Sequence, residues 1–254
     1  MFSKKAAERK IGNQEGFRWR GEEISRIEGL SDAVFAFAVT LLIVSTEVPK
    51  TFDDLILSLR AFFPFAACFV QIMLVWYNHY IFYRRYNLQD VKSVALTMTL
   101  LFVILFYTYP LKFVFMAWFT QMMGPLGPGD RYTIQNYGQL SELFTIYALG
   151  FIAVYVVFFF MYVHAYRSRK LLALTELEIW DTKHEMRESV IFCCIGLLSL
   201  TLANTLSGRW VGLAGFIYSI IGIVVGIHES WGSKRRKVIF LRLYPDISAV
   251  PATM

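Results

Sequence analysis

The chain has 254 residues, of which 56% are apolar and only 17% are charged, and its mean hydropathy is +0.48. Soluble domains carry about a quarter charged residues, so this composition argues against one large soluble core and indicates a polytopic membrane protein. The net charge of +6 is typical of a membrane protein that retains Lys and Arg on its cytoplasmic side, and we expect no nucleic-acid partner. Three cysteines stand in apolar runs without metal-binding spacing, so no metal site is predicted: Cys68, Cys193 and Cys194.

Six apolar runs are long enough to cross a bilayer, whose hydrocarbon core requires about twenty residues of helix. A basic tail, residues 1–25, precedes the first run, and a second basic tail, 229–254, follows the last. Turn-forming residues separate the runs, most clearly in segment 124–138. We predict an all-α polytopic membrane protein whose transmembrane domain, 26–228, contains spans at 26–48, 55–82, 93–117, 142–165, 188–207 and 210–228.

Lys and Arg are distributed unequally between the two sides of this topology. If the N-terminus is cytoplasmic, that side holds 20 of the 25 basic residues and the opposite side holds three. The positive-inside rule therefore places both termini in the cytoplasm. The largest cytoplasmic insert, 167–187, has apolar residues at helical spacing among charges, which predicts an amphipathic helix. This helix either lies on the headgroups or extends the fourth span inward.

The first span begins with three charged residues. Only fourteen uncharged residues separate Asp32 from Glu47, too few to cross the hydrocarbon. Ser25 and Glu28 have the spacing of a capping box, so the helix is predicted to begin near Arg26 and to be long enough to span. Glu28 and Asp32 lie on one helix face and repel each other, so Asp32 needs a partner from another segment.

Two interpretations of these charges remain open. They are interfacial charges at a helix N-terminus, or they belong to a polar network packed inside the protein. The cytoplasmic end of the second span supplies Trp76, Asn78 and His79 at about the depth of Ser31 and Asp32, and we expect His79 to donate to Asp32. The alternatives are an ordinary interfacial histidine and a tryptophan of the aromatic belt.

The motif formed by Arg26, "LSD" at 30–32 and the following "AVFAFAVTLL" resembles the signature R-x-x-x-F-S-D of the transmembrane protein 175 family. These are potassium channels that lack the usual selectivity filter. The segment 76–79 resembles the second-helix motif of the same family. Two positions differ from the family pattern: Leu30 replaces the Phe of the first motif, and Tyr80 replaces a second His in the second motif. The resemblance implies that the pore helix is supported by a network of five residues: Arg26, Ser31, Asp32, Trp76 and His79.

With one motif copy in the chain, the resemblance implies a homotetramer in which four first helices surround a pore. Phe37, Leu41 and Val44 form an apolar stripe that matches the family's constriction, with Phe37 where Ile or Leu is usual. Thr40 would offer oxygen atoms to a partly dehydrated cation. Apolar stripes at this spacing more often face lipid or the protein core than a pore, and the charged motif beside this one is what favours a pore. The implied protein is a passive, potassium-preferring channel of a prokaryotic plasma membrane, with no cofactor beyond the permeant K⁺.

Two other classes of protein fit parts of the sequence. A proton-coupled secondary transporter would show inverted repeats or helices broken at mid-membrane, whereas Pro64 and Pro110 lie toward the outer ends of their spans. A haem protein or membrane enzyme would need paired histidines. Four histidines fall on the cytoplasmic half with no motif that pairs them: His79, His164, His184 and His228. We predict a channel and not an enzyme.

Overall fold

The structure is a computed structural model that describes residues 10–11, 14–15, 17–21, 23–44, 49–124, 126, 134 and 136–243. Apart from a two-residue antiparallel ladder, β1 (Lys10–Ile11) with β2 (Gln14–Glu15), the regular structure in these residues is helical. This agrees with the predicted all-α class.

Six helices follow in chain order: α1 (Arg26–Val44), α2 (Phe52–Arg60), α3 (Phe62–Tyr86), α4 (Val91–Met123), α5 (Tyr137–Arg167) and α6 (Glu176–Thr205). The chain then passes through two 3-10 turns, Gly208–Gly212 and Ile217–Ile220, with the short α7 (Leu213–Phe216) between them. The last helix, α8, runs from Ile221 to Leu243.

Five helical stretches in the described residues are long and apolar enough to cross a membrane. They are Phe52–Tyr86, Val91–Met123, Tyr137–Arg167, Glu176–Thr205 and Gly208–Leu243. The described part of α1 has 19 residues and is about 28 Å long at 1.5 Å per residue. Residues 45–48 of the first predicted span lie outside the described residues. The count of six spans and the cytoplasmic termini stay predictions.

The centre of the fold is the antiparallel pair α5 and α6, with α4 against α5 and α8 along α6. Close approach of α4 and α5 requires a glycine, because a Cβ on Gly150 would lie 2.2 Å from the ring of Tyr107. Helix α1 packs against both α3 and α4 through its buried face. This packing positions α1 at one side of the bundle.

The helical part of insert 167–187 is the start of α6, which begins at Glu176 behind a capping box formed by Thr175 and Glu178. It therefore extends the fifth predicted span inward, and not the fourth. Leu177 is fully buried, whereas Leu171 precedes the helix and is 84% exposed. The predicted apolar face is thus divided between a turn and a helix.

The N-terminal strap, residues 17–21, packs against the inner ends of the helices. Phe17 is fully buried and meets the ring of Tyr86 edge to face at 5.7 Å. Arg18 and Arg20 both bond to the buried carboxylate of Glu178, at 3.3 and 2.9 Å. A region that the sequence describes only as a basic tail therefore contributes part of the core.

Candidate pore helix and its polar contacts

The first turn of α1 is capped as the sequence predicts. The backbone N–H and the hydroxyl of Ser25 donate to Glu28 Oε1 at 2.9 and 2.7 Å, and the Glu28 N–H donates to Ser25 Oγ at 3.3 Å. These reciprocal bonds satisfy the free donors of the first turn. The helix begins at Arg26, which confirms the predicted start.

The partner of Asp32 is Trp76. Its indole Nε1 donates to Asp32 Oδ1 at 2.7 Å, joining α1 to α3. The same indole ring stacks on Tyr80 at 5.8 Å. The predicted bond from His79 is wrong, because the side chain that reaches the carboxylate is the one a turn earlier on α3. Trp76 thus has a more specific contact than an ordinary belt residue.

His79 packs between rings instead. It is 2% exposed, with its ring 6.0 Å from Phe35 on α1 and 4.9 Å from Tyr83. Its Nε2 has no hydrogen-bond partner among the described residues. In this arrangement His79 fills the contact between α1 and α3.

The other two predicted members of the network behave differently. Ser31 is fully buried and its hydroxyl donates to the Ile27 carbonyl at 2.7 Å, so it is satisfied within α1. Arg26 is exposed and forms no ion pair with the residues that the structure describes. Within one chain, the direct bond of the network is therefore the one between Asp32 and Trp76.

Helix α1 has two distinct faces. Its buried face consists of residues no more than 2% exposed: Ser31, Phe35, Ala38 and Leu42. Phe37, at 56% exposure, and Thr40 lie on the opposite face, and Leu41 is half-buried between the faces. The side chain of Val44 lies outside the described part of the structure. Two of the four predicted pore residues, Phe37 and Thr40, therefore lie on the face that α1 does not pack against its own chain, and Leu41 lies at its border.

Thr40 is the polar residue of this exposed face. Its hydroxyl donates to the carbonyl of Ala36 at 2.9 Å. Because the proton is used within the helix, the remaining lone pairs of Oγ1 are available as acceptors. In the described part of α1, the exposed face thus carries a hydroxyl oxygen among apolar side chains.

Lys112 on α4 holds the other end of α1. Its Nζ donates to the carbonyl of Leu42 at 2.7 Å, in the last turn of the described helix. Because the donor is an ammonium group, this bond is stronger than one between two neutral groups. Sequence reasoning missed this contact, because 70 residues separate the partners. The available signal was an ionisable residue in an apolar run, which usually has a specific partner.

These features define a polytopic α-helical membrane protein in which the described part of α1 is anchored at two heights and exposes an apolar face that carries the hydroxyl of Thr40. The family model described as "Endosomal/lysosomal potassium channel TMEM175" matches residues 26–108. A protein of Marivirga tractuosa named "Potassium channel" is 39% identical over 245 residues, which cover 91% of this chain and 98% of that protein. The chain belongs to the TMEM175 family.

Solved structures agree with this assignment. A crystal structure of a variant of the potassium channel MtTMEM175, in complex with a nanobody–MBP fusion protein, matches 89% of this chain and all of its own, with a TM-score of 0.76 and 37% identity. A lysosomal potassium-selective channel TMEM175 homolog from Chamaesiphon minutus shares the fold, with a TM-score of 0.54 and 18% identity over 82% of this chain and 96% of its own. The family and these relatives are potassium channels, not enzymes.

Proposed function

We propose that this protein is a potassium-preferring cation channel that conducts passively through a homotetrameric pore lined by α1. The observation that carries the proposal is the two-faced character of α1. One face is buried against α3 and α4, while the face with Phe37 and Thr40 is exposed in the single chain. The potassium channels named among the relatives support the choice of ion.

A single α1 cannot enclose a pore, so the proposal requires several copies of the chain. The exposed face of α1 combines large apolar side chains with the Thr40 hydroxyl, which suits a narrow water-filled path better than lipid alone. Four copies place this face around a central axis. Each chain then crosses the plasma membrane of a prokaryote six times, with both termini in the cytoplasm.

The proposed conduction path contains an apolar constriction made by Phe37, Leu41 and Val44. Such a constriction gates by losing its water, and an ion crosses it only by shedding part of its hydration shell. Thr40 Oγ1, whose proton is bonded to Ala36, offers a lone pair to the ion at this point. K⁺ holds its water less tightly than Na⁺ does, so this path favours K⁺.

The polar contacts of α1 have a supporting role in this proposal. Trp76 holds Asp32 near one end of the helix and Lys112 holds the Leu42 carbonyl near the other. Two anchors at different heights restrict rotation of α1 about its own axis. The orientation of Phe37 and Thr40 toward the pore is thereby maintained.

The proposal is tested with the purified protein in liposomes. A K⁺ gradient should drive flux without a proton gradient, and the flux should be smaller when Na⁺ replaces K⁺. Cross-linking and mass measurement in detergent should give four copies of the chain. Flux that appears only with a proton gradient would contradict the channel and support a proton-coupled transporter.

A further inference from the structure

A stack of three rings joins α6 to α8 at the side of the protein that we assign to the cytoplasm. The rings of His184 and His228 are parallel, with centroids 3.9 Å apart and an interplanar angle of 5°. Trp180 lies on the other face of His184 at 5.0 Å. Gly232 allows this approach, because a Cβ there would lie 2.3 Å from Cε1 of His184. The sequence shows no motif that would pair these two histidines, which are 44 residues apart.

A carboxylate completes the cluster. Glu229 Oε1 lies 2.9 Å from His184 Nε2. Each of His184, His228 and Glu229 offers one potential ligand atom, and these three atoms all lie within 4.8 Å of one another. The side chain of His184 is 6% exposed, whereas that of Glu229 is 51% exposed. The cluster is therefore anchored in the protein and open to solvent on one side, which provides a route of entry for an ion.

Three ring nitrogens of this cluster are buried without a hydrogen-bond partner in the described part of the chain. They are Nδ1 of His184 and both ring nitrogens of His228. Buried polar atoms nearly always have a partner, and each one without a partner costs about 1–3 kcal/mol. Three such atoms in one contact between two helices indicate a site for a ligand that accepts electron pairs or forms hydrogen bonds.

We propose that His184, His228 and Glu229 bind a divalent transition-metal cation with the ligand preferences of zinc. Two imidazoles and one carboxylate are typical ligands of Zn²⁺, whereas K⁺, Mg²⁺ and Ca²⁺ prefer oxygen ligands alone. Three protein ligands leave a fourth position for water in tetrahedral geometry. This site is separate from the proposed pore and does not depend on it.

Binding requires a small rearrangement of the stack. An imidazole binds a metal through a lone pair in the plane of the ring, so two parallel rings cannot share one ion. His228 is half-buried and can rotate out of the stack, whereas His184 is held by Trp180 and Gly232. Ligand atoms around Zn²⁺ lie about 3–4 Å apart. The three ligand atoms therefore need to approach one another by roughly 1–2 Å.

A bound ion would strengthen the attachment of α8 to α6. In the structure, this attachment includes the ion pair of Asp181 with Arg236 at 2.9 Å and the pair of Glu176 with Arg242. The metal would replace the direct contact of His184 with Glu229 by coordination bonds from both helices to one ion. Because α8 exposes most of its surface, its attachment depends strongly on these few contacts.

The test is Zn²⁺ binding by the purified full chain in detergent, after removal of any affinity tag and of metals with EDTA. Isothermal titration and elemental analysis should give one Zn²⁺ per chain, and Co²⁺ should produce visible d–d absorption. His228→Gln and Glu229→Gln should each lower the affinity at least about 100-fold, because loss of a hydrogen-bond partner of a ligand alone costs 10–100-fold. His164→Gln is the matched control, because His164 instead contacts Asp90 at 2.9 Å.

A variant with both Cys193→Ser and Cys194→Ser tests whether the thiols bind Zn²⁺ instead of the histidine cluster. This variant should bind Zn²⁺ as the wild-type chain does. Zn²⁺ should also raise the melting temperature of the wild-type chain but not of His228→Gln, which provides a readout independent of the titration. The proposal is overturned if the wild-type chain binds no Zn²⁺ at micromolar concentration. It is also overturned if binding survives in His228→Gln and Glu229→Gln, or disappears only in the cysteine variant.

Discussion

Trp76 donates its indole N–H to the carboxylate of Asp32 at 2.7 Å, which joins α3 to the second turn of α1. This bond crosses between two helices that also share the buried contact of Phe35 with His79. Together with the bond from Lys112 to the Leu42 carbonyl, it anchors α1 at two heights. These contacts are therefore the natural targets for mutation.

Trp76→Phe removes the donor and retains an aromatic ring. We expect the free energy of unfolding to fall by about 1.5 kcal/mol, the lower end of the range for a bond to a charged group, because Asp32 is exposed. Thermal unfolding in detergent, followed by circular dichroism, measures this loss. Trp118→Phe is the control, since Trp118 is 49% exposed and has no hydrogen bond among the described residues. Equal melting temperatures for the two variants would show that the bond between Trp76 and Asp32 does not stabilise the protein.

Phe37 and Phe35 form a matched pair on opposite faces of α1. Phe35→Ala opens a cavity at a residue 1% exposed and should cost about 3–5 kcal/mol of stability. Phe37→Ala changes a residue 56% exposed and should leave the melting temperature nearly unchanged, while K⁺ flux in liposomes increases because the constriction widens. If Phe37→Ala leaves K⁺ flux unchanged, Phe37 does not line the pore.

Lys112→Met should loosen the end of α1. The variant keeps the length of the side chain but no longer donates to the Leu42 carbonyl, a bond worth about 1.5–3 kcal/mol when the donor is charged. Hydrogen exchange of peptides covering residues 38–44 should accelerate at least about tenfold, since 1.4 kcal/mol corresponds to a factor of ten. Arg60→Met removes an exposed charge and provides the control. The same exchange rates in both variants would contradict an anchoring role for Lys112.

Glu178→Gln should release the N-terminal strap. Glu178 is fully buried and its loss leaves Arg18 and Arg20 without their counter-ion. We expect a cost of about 3 kcal/mol, the lower end of the range for a broken buried pair, because the Arg18 side chain is 44% exposed. Trypsin should then cleave after Arg18 and Arg20 faster than in the wild-type chain.

Glu176→Gln is the control for the strap, since this residue also lies in the first turn of α6 and pairs with a basic residue. Its side chain is 54% exposed, so the change should cost less than about 1 kcal/mol and leave the rate of cleavage unaltered. Equal rates for the two variants would show that Glu178 does not hold the strap.

Local patterns in the sequence are sufficient for several features of this protein. The capping of α1 depends on Ser25 and Glu28, which are three residues apart, so their spacing alone predicts the bond. The lengths of the apolar runs predict the helices that can cross a membrane, because the thickness of the bilayer sets that length. The motif around Asp32 indicates the family, since its residues lie within one short segment of the chain.

Contacts between helices required the tertiary structure. Trp76 and His79 are three residues apart on one helix and both can donate a hydrogen bond, so the sequence does not distinguish them as partners of Asp32. The rotation of α3 about its axis decides that Trp76 reaches the carboxylate while His79 packs on Phe35.

The same limit applies to the rest of the candidate sites. The spacing of residues predicts an apolar stripe on α1, but only the packing of α3 and α4 decides that Phe35 is buried and Phe37 is exposed. His184 and His228 meet because α8 returns along α6 and Gly232 permits the approach. The sequence by itself determines where the apolar helices lie along the chain and how the first turn of α1 is capped, because those interactions are local. The rotation and approach of each helix, and therefore its partners, depend on packing between residues far apart in the chain.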